Sequence, residues 1–352
     1  MKKSIKVLVI DDSALVRQTL TEIINADPEL EVMGTAADPY FAAQKIKSAI
    51  PDVITLDVEM PRMDGLTFLK TLMAQCPVPV VIISSLTQSG SQLAWQALSY
   101  GAVEIVSKSE IRNTKQHLEE SKIRITDAIK AAHLVPVKAK KFSKTLKQQL
   151  PDTTAGKKPE TIYKTTDKII AIGASTGGTE ALRFILKNIR PDLPGILITQ
   201  HMPAGFTKSF ADHLNQECEV TVKEASDGER IMRGHAYIAP GGKHMELYRS
   251  GAKYFIKVRD GELVNRHKPS VDVLFNSVAH HAGQNALGII MTGMGRDGAA
   301  GLLAMKEEGA QTIAQDEATS VVFGMPKEAI KLGAADYTLG LQEIPGKMQR
   351  AL

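Results

Sequence analysis

The chain has 352 residues, of which 43% are hydrophobic and 23% charged, with a formal net charge of +4. That length is enough for about two domains, and the composition is that of an ordinary globular protein. So small a charge excess gives no footing for a nucleic-acid partner, and no apolar stretch approaches the roughly 20 residues of a membrane span.

Met1-Lys2-Lys3-Ser4 runs at once into a short apolar strand and two aspartates. A secretory signal needs a longer apolar region and a small-residue cleavage site. With only Cys76 and Cys218 in the chain, the expectation is a reduced, cytoplasmic protein without membrane insertion.

Residues 5 to 132 alternate strand and helix. Val7 to Ile10, Val53 to Leu56, Val80 to Ile83 and Glu104 to Val106 read as short buried strands. Val16, Leu20, Ile23 and Ile24 share one face of a helix, as do Ile111, Leu118, Ile125 and Ile129. From Pro136 to Asp167 apolar residues are scarce and lysines frequent, and prolines at 136, 151 and 159 interrupt any long helix. This segment reads as a flexible basic linker. Alternation resumes at Lys168. Between Val220 and Val264 short strands and Gly-rich turns predict a β-hairpin excursion, and a parallel pattern returns with Leu287 to Met291. The expected domains are 1–132, a linker over 133–165, and 166–352.

Strand ends carry the chemistry. In the first half, Asp11 and Asp12 close the first strand, Asp57 closes the second apolar run, Ser84 ends the next and Lys108 follows the last. Carboxylates at strand ends suit a hard cation such as Mg²⁺, and one of them can accept a phosphoryl group. Taken alone, Asp11-Asp12 reads as a helix N-cap. The full set, with Met60-Pro61 and Asp64-Gly65, resembles the receiver domain of bacterial response regulators over about residues 4 to 130. The resemblance implies that Asp57 is the phosphoacceptor, Asp11, Asp12 and Asp57 the Mg²⁺ ligands, Ser84 the switch hydroxyl and Lys108 the phosphate-contacting base. Two residues depart from that pattern: Ser109 stands where proline usually follows the lysine, and Ile105 where an aromatic switch residue is common.

In the second half, three residue clusters, those containing Ser175, His201 and Asp297, fall where apolar runs end. In an open α/β sheet ligands sit beyond the carboxyl ends of strands, so a hydroxyl, an imidazole and a carboxylate reach one edge. They are a nucleophile, a general base and an orienting acid. Gly173-x-Ser175-x-Gly177 lies between a strand and a helix, where small flanking residues allow a sharp turn and leave amides free for an oxyanion. The order Ser, His, Asp differs from the usual α/β-hydrolase order. A Gly-rich turn after a strand is also compatible with a nucleotide phosphate, but the next strand ends Thr199-Gln200-His201 without the acidic residue that binds ribose, and no Gly-Lys-Ser/Thr follows Gly178. Of nine histidines only His201 ends a core strand; His235, His244 and His267 fall in loops or hairpins where they can shape a groove. Asp297 begins a helix, so a capping role is its alternative.

Over essentially its whole length the chain resembles the chemotaxis response regulator protein-glutamate methylesterase family. The matching segments are Gly173 to Gly178, Gln200 to Pro203 with Phe206-Thr207, Ala239 to Gly242, Pro269 to Asp272, Thr292 to Gly298, and Gln315-Asp316 through Phe323 to Pro326. The resemblance implies a phosphorylation-activated hydrolase acting on glutamyl methyl esters, and on glutamines, of chemoreceptor cytoplasmic helices. Its phosphodonor would be the chemotaxis histidine kinase, and it would be recruited transiently to receptor arrays. It implies Ser175, His201 and Asp297 as the catalytic triad and the backbone N–H groups of Thr176 and Met294 as the oxyanion hole. No cofactor beyond the receiver's Mg²⁺ is implied. The reading from another class is a regulator that docks on receptors without catalysis. The expected fold class is α/β: a five-stranded, doubly wound parallel sheet, then a doubly wound, mainly parallel hydrolytic domain with a β-hairpin excursion.

Overall fold

The computed structural model describes residues 4–60, 65–85, 87–108, 115–137 and 168–350, with the backbone alone described at 88–91 and 115–121. The basic linker expected over 133–165 therefore lies, beyond residue 137, outside the described residues, as do Pro61, Asp64, Ser109 and Ile111.

The first unit runs β1 (Ile5–Ile10), α1 (Ala14–Asn25), β2 (Leu30–Ala36), α2 (Pro39–Ser48), β3 (Val53–Asp57), α3 (Gly65–Gln75), β4 (Val80–Ser84), α4 (Gln88–Tyr100), β5 (Glu104–Ser107) and α5 (Lys115–His133). Its five strands are all parallel in the order β2-β1-β3-β4-β5. The strand not singled out from the sequence is β2. It is an edge strand whose middle residues are only half buried, so it lacks the unbroken apolar run of the central strands. Val16, Leu20, Ile23 and Ile24 are the buried face of α1, and its cap is Ser13, whose hydroxyl accepts from the Val16 amide at 3.4 Å. Asp11 and Asp12 are thus not the cap.

The second unit runs β6 (Ile169–Ala174), α6 (Gly178–Lys187), β7 (Gly195–Gln200), α7 (Phe206–Glu217), β8 (Thr221–Glu224), β9 (His235–Ile238), β10 (His244–Ser250), β11 (Lys253–Arg259), α8 (Val271–Ala282), β12 (Ala286–Ile290), α9 (Ala299–Glu307), β13 (Gln311–Gln315), α10 (Met325–Lys331), β14 (Tyr337–Leu339) and α11 (Ile344–Arg350). Seven strands form one parallel sheet in the order β14-β13-β12-β6-β7-β9-β8, and β10 and β11 form a separate antiparallel hairpin. The excursion expected between Val220 and Val264 is thus confined to its second half, while β8 and β9 extend the main sheet.

Each sheet has a central point at which its winding reverses. In the first unit this lies between β1 and β3, and in the second between β6 and β12, whose successors depart to opposite sides. Crevices open at such points beyond the carboxyl ends of the strands. Asp11 and Asp57 flank the first crevice, and Ser175 and Asp297 follow the two strands that flank the second.

The units pack against each other. The Trp95 ring of α4 lies tilted on Phe210, with centroids 5.2 Å apart, and on His213 at 4.8 Å, both on α7. One apolar cluster runs through this contact, including Leu98, Met202 and Phe206. β5 and α5 of the first unit reach the rim of the second crevice. Among the described residues no helix is long and apolar enough to cross a membrane.

Candidate active site and phosphoacceptor site

At the first crevice, carboxylate oxygens of Asp11, Asp12 and Asp57 lie within 4.8 Å of one another. Lys108 Nζ bridges Asp57 Oδ2 at 2.6 Å and Asp11 Oδ2 at 2.9 Å. The Glu59 amide donates to Asp57 Oδ1 at 2.9 Å. Burial raises the Asp57 pKa against the pull of Lys108. Two of the three acids thus share one ammonium, and the three together are a set of hard oxygens that fits a divalent ion such as Mg²⁺. Ser84 is buried beside them at the end of β4, and the Lys108 amide donates to its carbonyl at 2.7 Å.

At the second crevice the chain turns sharply after β6. Gly173 lets α8 approach, since a Cβ there would strike Val271 Cγ1 at 2.2 Å. The turn's left-handed residue is Gly177, with φ +79, while Ser175 keeps an ordinary negative φ. The serine is therefore displayed without the strain of a hydrolase nucleophile elbow. Its backbone is tied on three sides: its amide donates to Thr292 O at 3.0 Å, and its carbonyl accepts from Gly178 N at 2.7 Å and Gln200 Nε2 at 2.9 Å.

His201 follows β7, its amide bonded to Ala174 O at 3.1 Å. Its Nε2 meets Asp297 Oδ2 at 2.8 Å, and its Nδ1 is buried with no partner among the described residues. Ser175, Thr176 and His201 line one cavity of about 350 Å³ together with Met294. The amides of Thr176 and Met294 donate to no other backbone or side-chain group among the described residues.

Asp297 does not cap the helix that follows it, whose N-cap is Gly298. Its carboxylate lies instead at the start of α8. It accepts from Val271 N at 2.7 Å, Ser270 Oγ at 2.7 Å, Asp272 N at 3.3 Å and Asn265 Nδ2 at 2.8 Å, besides His201. Burial alone would raise its pKa; the bonds from His201, Asn265 and Val271 more than offset this and hold the carboxyl well below the usual range.

Three residues here were not assigned from the sequence. Asn265 joins Asp297 to Asp272, to which it donates at 2.6 Å. Asn265 and Arg266 both have positive φ in the tight turn between Val264 and His267, a conformation that Asn tolerates better than most residues. His267, reached by that turn, stacks on His201 with centroids 3.6 Å apart and an 11° interplanar angle. Burial and the neighbouring His201 push His267 down to about 2, so it stays neutral. The third is Glu104 of β5, which accepts from Thr176 Oγ1 at 2.5 Å. Other histidines serve the scaffold: His244 is held by Glu262 O and Ser270 N, and His213 pairs with Glu217. Gln315 and Gly324 steady the loop after β12, through Thr292 N at 2.8 Å and Gly293 O at 3.1 Å.

Comparison with known proteins agrees with this layout. Residues 170–348 match the CheB methylesterase family model, and residues 7–119 match the response regulator receiver domain. A protein-glutamate methylesterase/protein-glutamine glutaminase of Geobacter metallireducens is 55% identical over 353 residues, covering 99% of each chain. One from Oleidesulfovibrio alaskensis is 54% identical over 354 residues, covering 100% of this chain and 99% of the relative. The crystal structure of the Thermotoga maritima CheB methylesterase catalytic domain superposes with a TM-score of 0.52 at 42% identity, covering 53% of this chain and 98% of that one.

Proposed function

The chain belongs to the CheB methylesterase family, with a response regulator receiver domain ahead of the methylesterase domain, and from that premise we propose that it hydrolyses glutamyl γ-methyl esters on chemoreceptor helices by a Ser175-His201-Asp297 mechanism gated by phosphorylation of Asp57. In this reading the receiver comprises residues 1–132 and the esterase 166–352, with the lysine-rich segment 133–165 between them. The observation that carries the reading is the His201–Asp297 pair, with Nδ1 of His201 unpartnered in the cavity that Ser175 lines.

Because Nε2 is engaged by Asp297, Nδ1 is the nitrogen that takes the Ser175 proton as Oγ attacks the ester carbonyl. The oxyanion falls to the amides of Thr176 and Met294. The imidazolium, stabilised by Asp297, returns the proton to methoxide, and methanol leaves. Water, deprotonated by the same nitrogen, then frees the glutamate. A receptor glutamine follows the same course with ammonia as leaving group. His267, neutral and stacked on His201, backs the imidazole without opposing its charge.

In the receiver, Asp11, Asp12 and Asp57 would hold Mg²⁺, which shields the phosphoryl oxygens when bound. Asp57 is the nucleophile toward the histidine kinase's phosphoryl group, and Lys108 and Ser84 receive its oxygens. The enzyme works in the cytoplasm and is recruited to receptor arrays. Asp57→Asn is expected to abolish Mg²⁺-dependent labelling by acetyl phosphate while basal esterase activity persists; label retained on another aspartate would refute the assignment.

The deciding experiment is methanol release from methylated receptor, with and without phosphodonor, by the full chain and by a fragment beginning near Lys164. The receiver elements β5 and α5 border the cavity of Ser175, so the unphosphorylated receiver restricts access. Couplings between sites are typically worth roughly 5- to 150-fold, and the fragment should exceed the unphosphorylated full chain by a factor in that range. Equal rates would sink the gating, and no methanol release by either would sink the esterase.

A further inference from the structure

One carboxylate of the receiver has no part in phosphorylation. Glu104 opens β5, yet its side chain crosses to the esterase, where Thr176 Oγ1 donates to its Oε2 at 2.5 Å. It borders both hollows that Ser175, Thr176 and His201 border. Its receiver neighbours there are the apolar Ile105, Val106, Ile123 and Ala128 and the charged Arg124 and Asp127, of which Arg124 favours the Glu104 carboxylate and Asp127 opposes it. A carboxylate in this place loses water, which raises its pKa. An apolar residue would cover the cleft without that cost. What Glu104 brings instead is a γ-carboxyl group on a two-methylene stem, the same group that hydrolysis of a glutamyl methyl ester leaves on the receptor.

We infer that Glu104 is a built-in stand-in for the product: its γ-carboxyl takes the Thr176 hydroxyl, a contact of the subsite for the substrate's glutamyl γ-ester group, and sits beside the oxyanion amides of Thr176 and Met294 without engaging them. The inference rests on the esterase reading and adds to it a substrate contact and the residue that blocks it. Covering the cleft requires only bulk. Filling the subsite makes the receiver an intramolecular competitor, displaced by substrate once the domains part. The position also suits control. β5 runs from Glu104 to Ser107 and directly into Lys108, whose ammonium is paired with Asp57. A phosphoryl group on Asp57 takes Lys108 as its partner and so bears on the strand that carries Glu104.

The test reads occupancy of the subsite in the full chain. A fluorophosphonate labels Ser175, and a blocked glutamate (N-acetyl, C-amide) is added as competitor; methanol release is followed in parallel. Without phosphodonor, Glu104→Ala should label about fivefold faster or more than the natural chain. Its labelling should be slowed by the blocked glutamate, whereas labelling of the natural chain, its subsite already filled, should not. Thr176→Val keeps the backbone amide but loses the hydroxyl. Combined with Glu104→Ala it should lose the protection and raise KM more than it lowers kcat, and Thr176→Ser should restore both. A purely structural Thr176–Glu104 bond predicts no dependence of protection on the hydroxyl. Protection of the natural chain equal to that of Glu104→Ala, or protection surviving Thr176→Val, would overturn the inference. Labelling of Ser175 with no methanol release by any variant would overturn instead the esterase reading beneath it.

Discussion

Replacing Ser175 with alanine is expected to reduce methanol release by about a thousandfold or more, because members of a triad act as a unit and what remains is the contribution of the oxyanion site and binding. The fold should survive. The bonds that hold residue 175 run through its backbone, to Thr292 O, Gly178 N and Gln200 Nε2, and alanine keeps all three. The thermal midpoint should therefore stay close to that of the natural chain, so that lost activity reports lost chemistry. His201→Ala should be comparably damaging, and removing both side chains should cost little more than removing one. The checks are initial rates on methylated receptor beside unfolding curves. Near-normal release by Ser175→Ala would remove it as the nucleophile. If His244→Ala proved the harmful histidine change, with its fold intact, the base would be misassigned.

The strand ends were legible for a physical reason. A strand buried on both faces of a parallel sheet reads as an unbroken apolar run, so the residue that stops the run is visible. Asp57 ends such a run and Ser175 and His201 directly follow theirs, whereas Asp297 lies in the loop seven residues beyond the end of β12. Edge strands give no such signal: β2, β8 and β14 carry half-exposed residues, and β8 and β9 were grouped with a hairpin although they continue the main sheet. What surrounds the triad was less legible. Asn265 marks a turn by its chemistry, but its partner Asp297 lies 32 positions away. His267 stood among several loop histidines until the turn laid it on His201. Ser270 looks like a cap of α8, yet its hydroxyl goes to Asp297, whose carboxylate takes the capping place. Glu104 could not be found locally at all. It belongs to one domain by sequence and to the other domain's cleft by position, 72 residues from the threonine it meets.

Asp297→Asn should cut turnover by about four orders of magnitude, the scale seen when a triad acid loses its charge and the imidazole its tautomer. The geometry makes the cost twofold. Oδ2 of Asp297 accepts from both His201 Nε2 and the Val271 amide, and Oδ1 accepts from Ser270 and Asn265. An amide has one acceptor oxygen, so whichever way the substituted side chain is turned, its NH₂ faces donors. Leaving a buried donor without an acceptor costs about 1–3 kcal/mol, and the thermal midpoint should fall with activity, unlike that of Ser175→Ala. The pH dependence carries a sign. The folded-state pKa of Asp297 is depressed below the ordinary value of 3.8, so its contribution is fully present above the unfolded pKa and is lost as pH falls through the folded one. The stability gap between the natural chain and Asp297→Asn should accordingly be constant near neutral pH and narrow only under acid conditions, below the ordinary carboxylate range. A gap that stayed constant into that range would mean that the carboxylate's charge is not what the His201 and α8 contacts recognise. Stability lost with turnover retained would make Asp297 a cap of α8 and nothing more.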